Sequence, residues 1–249
     1  ATGFDGVDIE AARERQIAVT NVPGYATRAV SQFTIGLILE IVLHIGRHNQ
    51  RVQEGQWVRQ ADFGYQDCPM RELAGLTLGI IGPGRIGQAA AVIARSLGLD
   101  VITDQEYSSG HGGIFRPVPL ETLWAVSDII SLHCPLNDAT RCLINDQTLA
   151  RTKKGVIIIN TARGGLIDDA ALARALISGQ AGFAGLDVIS KEPIAPDNPL
   201  LGLPNCLITP HMAARARETR QRLIDMAYDN FLKFQQGSPQ NLVCPLQPV

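Results

Sequence analysis

The stretch that decides the fold is LTLGIIGPGRIG, residues 76–87. Its first six residues predict a β-strand, and the last six, Gly82 to Gly87, follow the pattern G-x-G-x-x-G. Apolar residues then recur at helical spacing, so the stretch predicts a strand, a tight turn and a helix. In such a turn Gly82 permits the bend, Gly84 lets the backbone approach a pyrophosphate, and Gly87 lets the helix pack on the strand. Because N–H groups at a helix start attract anions, we predict a dinucleotide-binding turn.

Beyond this turn the chain alternates short apolar runs with helical patterns. Runs that are apolar throughout, such as GVIII at 155–159, are typical of parallel strands buried on both faces. Strands that alternate with helices favour βαβ units with right-handed crossovers. We therefore predict a doubly wound α/β fold, with a Rossmann-type domain over residues 27–211. Its predicted strands are 76–81, 100–103, 128–134, 155–160, 182–188 and 205–209, preceded by a buried helix over 33–45 that Ser31 would cap.

Composition and charge exclude several classes of protein. The 249 residues carry 22 Lys and Arg against 24 Asp and Glu, so the near-neutral balance predicts neither a nucleic-acid partner nor an anionic membrane surface. The apolar run at 33–45 is shorter than the roughly 20 residues of a membrane span. His44 and His48 have helical i, i+4 spacing, but no third ligand is evident, so we expect no metal site. The five cysteines contain no CxxC pair and indicate a reducing compartment, which predicts a cytoplasmic protein: Cys68, Cys134, Cys142, Cys206 and Cys244.

An acidic residue follows the next strand at the distance that a dinucleotide site requires. Asp104 lies 22 residues after Gly82, at the end of the strand 100–103. Its carboxylate can accept both ribose hydroxyls of NAD and would repel the 2′-phosphate of NADP. The next residue, Gln105, supplies no cation for such a phosphate. The sequence therefore predicts NAD as the cofactor, and a ligand-free glycine turn is the alternative.

Three polar residues follow the later strands, where parallel sheets place their chemistry. Arg163, Glu192 and His211 each follow one of the last three strands. Taken singly they could be a surface charge, a loop acid and a structural histidine. Together they suit the reduction of a 2-keto acid, because an arginine can clamp a carboxylate, a histidine can transfer a proton, and a glutamate can stabilise the imidazolium. We predict that these three residues are catalytic.

Nine short motifs, in order, resemble the D-isomer-specific 2-hydroxyacid dehydrogenase family. They cover nearly the whole chain, and within the family DVISKEPIAPDNPLL and ETRQRLID are most similar to glycerate dehydrogenases, also called hydroxypyruvate reductases. The motifs are ATGFDGVD (1–8), NVPGY (21–25), LAGLTLGIIGPGRIG (73–87), SLHCPL (131–136), TRCLI (140–144), NTARGGLID (160–168), LDV (186–188), KEP (191–193) and TPH (209–211).

The resemblance implies a role for each residue that matches the family pattern. Arg163 would bind the substrate carboxylate, His211 would be the acid/base with Glu192 as its partner, and Thr2 and Gly3 would help to hold the substrate. The long helix after Ser31 would serve a homodimer. The implied cofactor-binding residues are Gly82, Gly84, Arg85, Ile86, Gly87, Asp104, Cys134, Pro135, Thr140, Thr161, Ala162, Asp187 and Ala213.

The resemblance also implies a second domain and an activity. Residues 1–26 and 212–249 would form part of a flavodoxin-like substrate-binding domain that lacks about 60–75 residues at its front, by typical domain sizes. The activity would interconvert hydroxypyruvate or glyoxylate and the D-2-hydroxy acid with NAD(H). Two alternatives stay open, a D-3-phosphoglycerate dehydrogenase and an NAD-sensing, corepressor-like binding protein. The stretch 212–215 lacks the aromatic residue that many glycerate dehydrogenases carry there, so the sequence leaves the substrate open.

Overall fold

The computed structural model describes residues 1–104, 113 and 115–244. They divide into two compact units, unit 1 with Ala1–Val30 and Met212–Val249, and unit 2 with Ser31–His211. Gln105, the residue that the sequence analysis placed beside Asp104, lies outside the described residues.

The described part of the chain contains eight α-helices, nine strands and one 3₁₀ turn at Gly164–Leu166. The helices are α1 (Ile9–Glu14), α2 (Thr27–Leu43), α3 (Ile45–Gln53), α4 (Arg85–Ser96), α5 (Leu120–Val126), α6 (Asp146–Leu149), α7 (Asp169–Ser178) and α8 (Arg217–Gln235). The strands are β1 (Val19–Thr20), β2 (Thr77–Ile81), β3 (Asp100–Thr103), β4 (Arg116–Pro117), β5 (Ile129–Leu132), β6 (Val156–Asn160), β7 (Ala181–Leu186), β8 (Cys206–Ile208) and β9 (Leu242–Cys244).

Unit 2 is built on a seven-stranded sheet in the order β4-β3-β2-β5-β6-β7-β8, with every neighbouring pair parallel. The predicted doubly wound α/β fold is confirmed. The strand order reverses direction between β2 and β5, and in open parallel sheets this switch point is where ligands bind.

Apolar layers cover both faces of this sheet. All five residues of β6 are buried, which fits its uninterrupted apolar sequence. Ile157 and Ile159 join a cluster with α2 and α4, whereas Val156 and Ile158 join a second cluster with α5 and α7. Alternate residues of one strand therefore anchor helices on opposite faces and hold the sheet rigid beneath the site.

The register of the sheet brings its carboxyl ends to one level. Asn160 pairs with Leu186, and Leu186 pairs with Ile208, so β6, β7 and β8 end side by side. Leu132 pairs with Asn160 and with Ile81, which extends the same level to β5 and β2. The loops that leave these strands therefore start from a common edge.

The start of α2 differs from the sequence prediction. The helix begins at Thr27 rather than near Phe33, and Ser31 is a buried residue inside it, so the prediction of Ser31 as the cap is wrong. The helix ends at Leu43, since His44 adopts a left-handed conformation with φ of 50°. His44 is the N-terminal cap residue of α3, in which His48 lies. No single helix among the described residues is long and apolar enough to cross a membrane, and α2 and α3 meet that test only as a pair bent by 55°.

Unit 1 contains α1, α8 and an antiparallel pair formed by β1 and β9. Asp8 caps α1 by accepting a hydrogen bond from the Ala11 amide. Asn230 of α8 donates a hydrogen bond to the backbone oxygen of Asn21, which ties the helix to the start of the chain. Buried polar side chains therefore help to join the two sequence segments of this unit.

Candidate active site

Three glycines shape the turn between β2 and α4, each through a different constraint. Gly82 has a φ of 90°, and a Cβ there would lie 2.5 Å from the backbone nitrogen of Cys134. A Cβ on Gly87 would lie 2.7 Å from the backbone oxygen of Gly82. A Cβ on Gly84 would meet nothing within 4 Å, so the space in front of the first turn of α4 is open. This open backbone, with Arg85 and Ile86 starting the helix, fits a pyrophosphate held by helix N–H groups.

Asp104 lies at the end of β3, next to this turn. Burial raises the pKa of its carboxyl group, and hydrogen bonds from backbone amides, including that of Gly82, act in the opposite direction. The Thr103 hydroxyl lies 3.4 Å from its Oδ1. The carboxylate is half-buried and adjoins the glycine turn, which fits an acceptor for ribose hydroxyls.

The loop after β5 carries three of the proposed cofactor-binding residues. Cys134 is buried against Gly82, and burial raises the pKa of its thiol to about 11. Pro135 follows it, and its backbone oxygen accepts a 2.7 Å hydrogen bond from the Thr140 hydroxyl. This hydrogen bond closes the loop beside the switch point. Because its pKa is raised, the Cys134 thiol stays protonated at neutral pH. His133 lies in the same segment, and burial lowers its pKa to about 4, so it is neutral there.

A buried asparagine shapes the turn that carries Arg163. Asn160 ends β6, and its side-chain oxygen accepts from the Ala162 amide at 3.0 Å while its Nδ2 donates to the Arg163 backbone oxygen at 2.9 Å. The Thr161 hydroxyl lies 2.9 Å from that of Thr34 on α2. These contacts fix the backbone on which the Arg163 guanidinium stands.

Arg163 is followed by a residue that has no room for a side chain. A Cβ on Gly164 would lie 1.8 Å from the backbone oxygen of Ile189. The turn after β6 therefore packs directly on the loop that follows β7. One of the Arg163 guanidinium nitrogens donates to the backbone oxygen of Ala162 at 2.7 Å, which orients the side chain.

Asp187 and Thr209 hold the backbone of His211. Asp187 is almost completely buried and accepts a 2.6 Å hydrogen bond from the Thr209 hydroxyl. Its backbone oxygen accepts a 2.8 Å hydrogen bond from the His211 amide. His211 itself has a φ of 49°, a conformation uncommon for residues other than glycine and frequent at functional sites.

The structure brings Glu192 and His211 into direct contact. Oε2 of Glu192 lies 2.7 Å from Nδ1 of His211, and Oε1 accepts a hydrogen bond from the Ile189 amide at 3.2 Å. Both side chains are exposed. A glutamate paired with one ring nitrogen leaves Nε2 as the nitrogen that can exchange a proton with a substrate.

The structure places the other predicted residues as follows. Arg163, Asp187 and His211 follow β6, β7 and β8, which are neighbours that end at the same level. Thr2, Gly3 and Ala213 belong to unit 1. Thr2 donates to the backbone oxygen of Val22 there, so the roles of these three residues rest on the resemblance alone.

Sequence reasoning missed two residues that support the site, Asn160 and Thr209. Both are short polar residues at the carboxyl end of a strand, a position that already pointed to Arg163 and His211. The position could have nominated them, but their hydrogen-bond partners become visible only in the structure. Among the described residues, no cluster of three or more ligating side chains could hold a metal ion.

Comparisons with known proteins agree with this geometry. The family model of the D-isomer specific 2-hydroxyacid dehydrogenase, NAD binding domain, matches residues 35–213. A hydroxypyruvate reductase of Blautia hydrogenotrophica is 47% identical over 245 residues, and a glycerate dehydrogenase of Methylorubrum extorquens is 40% identical over 245; each alignment covers 98% of this chain and 76% of the relative. A crystal structure of D-lactate dehydrogenase from Aquifex aeolicus, complexed with NAD and lactic acid, has a TM-score of 0.88 at 31% identity, over 100% of this chain and 79% of that one. The chain therefore belongs to the D-isomer-specific 2-hydroxyacid dehydrogenase family and is an NAD-dependent oxidoreductase.

Proposed function

We propose that this protein reduces hydroxypyruvate to D-glycerate, or glyoxylate to glycolate, with Arg163, Glu192 and His211 as its catalytic residues. The observation that carries the proposal is the 2.7 Å contact between Glu192 Oε2 and His211 Nδ1 at the carboxyl edge of the sheet. The names of relatives that are 47% and 40% identical support this substrate class.

The residues of this chain divide the chemistry between them. The glycine turn between β2 and α4 and Asp104 would hold NADH, which would supply a hydride to the substrate carbonyl carbon. Protonated His211 donates its Nε2 proton to the carbonyl oxygen, while Glu192 accepts the hydrogen bond from Nδ1 and stabilises the imidazolium. Arg163 binds the substrate carboxylate and holds the carbonyl in position, because a guanidinium matches a carboxylate in a two-point contact.

Three finer assignments belong to the same proposal. Unit 1 contributes to the substrate-binding domain, with Thr2 and Gly3 near the substrate carboxylate. The protein works as a homodimer, and the exposed apolar side chains Ile45, Trp57 and Phe63 after α2 support a partner surface on that part of unit 2. All five cysteines are free, which supports a reducing compartment such as the cytoplasm.

The variant His211→Gln tests the proposal. The glutamine side chain cannot act as a general acid near neutral pH, so kcat for hydroxypyruvate falls by about 10²–10⁴. The dissociation constant of NADH stays within about twofold, since acid catalysis and cofactor binding are separable. Steady-state absorbance at 340 nm and a fluorescence titration with NADH measure these two quantities.

Lys191→Gln is the matched control. This exposed residue precedes Glu192, and the substitution removes a charge without touching the Glu192–His211 pair, so kcat is retained. Normal turnover by His211→Gln contradicts the assignment of the acid. Absence of turnover by the wild-type protein on every small 2-keto acid, with NADH still bound, contradicts the proposed activity and favours an NAD-sensing role.

A further inference from the structure

We propose that Asp169 is a positioning residue that holds Glu192 against His211 from the far side of the loop. The inference rests on the proposed function, in which Glu192 and His211 act as a pair. Asp169 is the first residue of α7 and is 9% exposed. Nothing in its sequence position points to the site, because it lies 23 residues before Glu192.

Two consecutive aspartates at the start of α7 have different tasks. Asp168 caps the helix, and its Oδ1 accepts from the amides of Ala170 and Ala171 at 3.0 and 3.1 Å. The carboxylate of Asp169 is therefore not needed for capping. It faces the loop between β7 and β8 instead, and a negative charge is favourable at this end of a helix.

A single oxygen of Asp169 anchors that loop on both sides of Glu192. Its Oδ2 accepts from the Ser190 hydroxyl at 2.5 Å and from Nδ2 of Asn198 at 2.8 Å. Glu192 lies between these two donors. Oδ1 of Asn198 also accepts a hydrogen bond from the Leu200 amide, so both polar atoms of its side chain are hydrogen-bonded.

Core contacts hold the loop on both sides of its tip, since Ile189 is buried and Ile194 packs on the core, and the hydrogen bond from Ser190 to Asp169 attaches the tip to α7. Residues 190–193 are exposed and belong to no helix or strand. Ile194 packs on the core beyond Glu192, and the Ile189 amide bonds to Glu192 itself. The backbone of His211, in contrast, is held by Asp187 on the sheet. The hydrogen bonds to α7 therefore act together with these core contacts in setting the separation of Glu192 from His211.

Asp169→Ala tests the inference. Removing the acceptor frees the loop, and a misplacement of about 1 Å in a catalytic pair lowers kcat by about 10- to 100-fold. NADH affinity stays within about twofold. Asp169→Asn rescues kcat, because the amide oxygen can take the place of Oδ2 and accept both hydrogen bonds.

A double-mutant comparison separates positioning from a general structural role. In a Glu192→Gln background the carboxylate that Asp169 positions is already gone, so Asp169→Ala lowers kcat by less than about twofold further. An equal loss in both backgrounds overturns the proposal, as does normal kcat in the single variant. If Asp169→Ala does not fold, the double variant Ser190→Ala/Asn198→Ala carries the same test, since it removes both donors and leaves the helix intact.

Gln180→Ala is the matched control. Gln180 follows the other end of α7, and its Nε2 donates to Leu149 and Thr152, so the variant also loses hydrogen bonds but leaves the Glu192 loop attached. Its kcat is expected to equal that of the wild-type protein. A drop equal to that of Asp169→Ala overturns the proposal, because any loss of hydrogen bonds around α7 would then suffice.

Amide exchange measured by NMR does not depend on turnover. The Ile189 amide donates to Glu192 Oε1, and release of the loop is expected to raise its exchange rate at least about tenfold in Asp169→Ala. Unchanged exchange overturns the positioning role. A wild-type protein that reduces no keto acid but shows faster Ile189 exchange in the variant contradicts only the proposed function.

Discussion

Replacing the glycines between β2 and α4 by alanine, one at a time, distinguishes the glycines that the fold requires from the one that cofactor binding requires. Gly82→Ala places a Cβ 2.5 Å from the Cys134 nitrogen at a φ of 90°. The backbone strain costs about 1–3 kcal/mol and the overlap with the β5 loop about 1–3 kcal/mol more. At about 2–4 °C per kcal/mol for a protein of this size, Tm falls by at least about 4 °C. Gly87→Ala behaves alike, since its Cβ lies 2.7 Å from the Gly82 oxygen.

Gly84→Ala is expected to behave differently. Its φ of −73° suits alanine, and a Cβ there meets no protein atom within 4 Å. The apo protein therefore keeps its Tm. The methyl group points into the space in which the backbone would approach a pyrophosphate, and losing a charge-assisted hydrogen bond costs about 1.5–3 kcal/mol. The dissociation constant of NADH therefore rises by about 10- to 150-fold.

Two assays on the three variants decide this prediction. Thermal unfolding of the apo protein gives Tm, and a fluorescence titration gives NADH affinity. A Gly84→Ala protein that binds NADH like the wild type refutes the placement of the cofactor in front of α4. A Gly84→Ala protein whose Tm is as low as that of Gly82→Ala contradicts the prediction that a Cβ at position 84 fits without overlap.

Two further substitutions test the roles of two carboxylates that adjoin strands of the sheet, those of Asp104 and Asp128. Asp104→Ala removes the carboxylate that would repel a 2′-phosphate, so the ratio of kcat/KM for NADPH to that for NADH rises at least about tenfold; an unchanged ratio contradicts the cofactor assignment. Asp128 accepts from the Thr77 amide and lies 3.2 Å from nitrogens of Arg71 and Lys153. Burial alone would raise the pKa of the Asp128 carboxyl group. Its hydrogen bonds and ion pairs have the larger, opposite effect, so the pKa is lowered overall. The stabilisation that these partners give is therefore present at pH values above the unfolded-state pKa of Asp128. It is lost as the pH falls through the pKa of Asp128 in the folded state. Asp128→Asn lowers the unfolding free energy by about 1 kcal/mol near pH 7, and denaturant titrations should show that difference shrinking below about pH 4.

The sheet was predictable because its strands carry their signal locally. An apolar run such as 155–160 has no polar alternation, which identifies a strand covered on both faces, and β6 occupies Val156–Asn160. The ends were predicted less well: the strand predicted over 128–134 spans only Ile129–Leu132, and the polar residues Asp128 and His133 lie just outside it. The cap of α2 was misplaced because the helix continues back through Ser31 to Thr27.

The positions of the candidate site residues after the strands were predictable from the sequence, whereas their contacts were not. Arg163, Glu192 and His211 stand after consecutive strands, and the chain alone indicates that parallel strands end together. The supporting contacts join residues far apart in sequence, such as Thr34 with Thr161 and Asp169 with Asn198. No local pattern encodes such pairs, because a buried polar group is satisfied by whatever the fold brings within reach.

The most direct test of the central claim is an analysis of the product formed by the wild-type protein from hydroxypyruvate and NADH. NADH consumed is measured at 340 nm, and glycerate is quantified by chiral chromatography. The account predicts one D-glycerate for each NADH oxidised. L-glycerate, or no oxidation of NADH by hydroxypyruvate or glyoxylate in a protein that binds the cofactor, would contradict it.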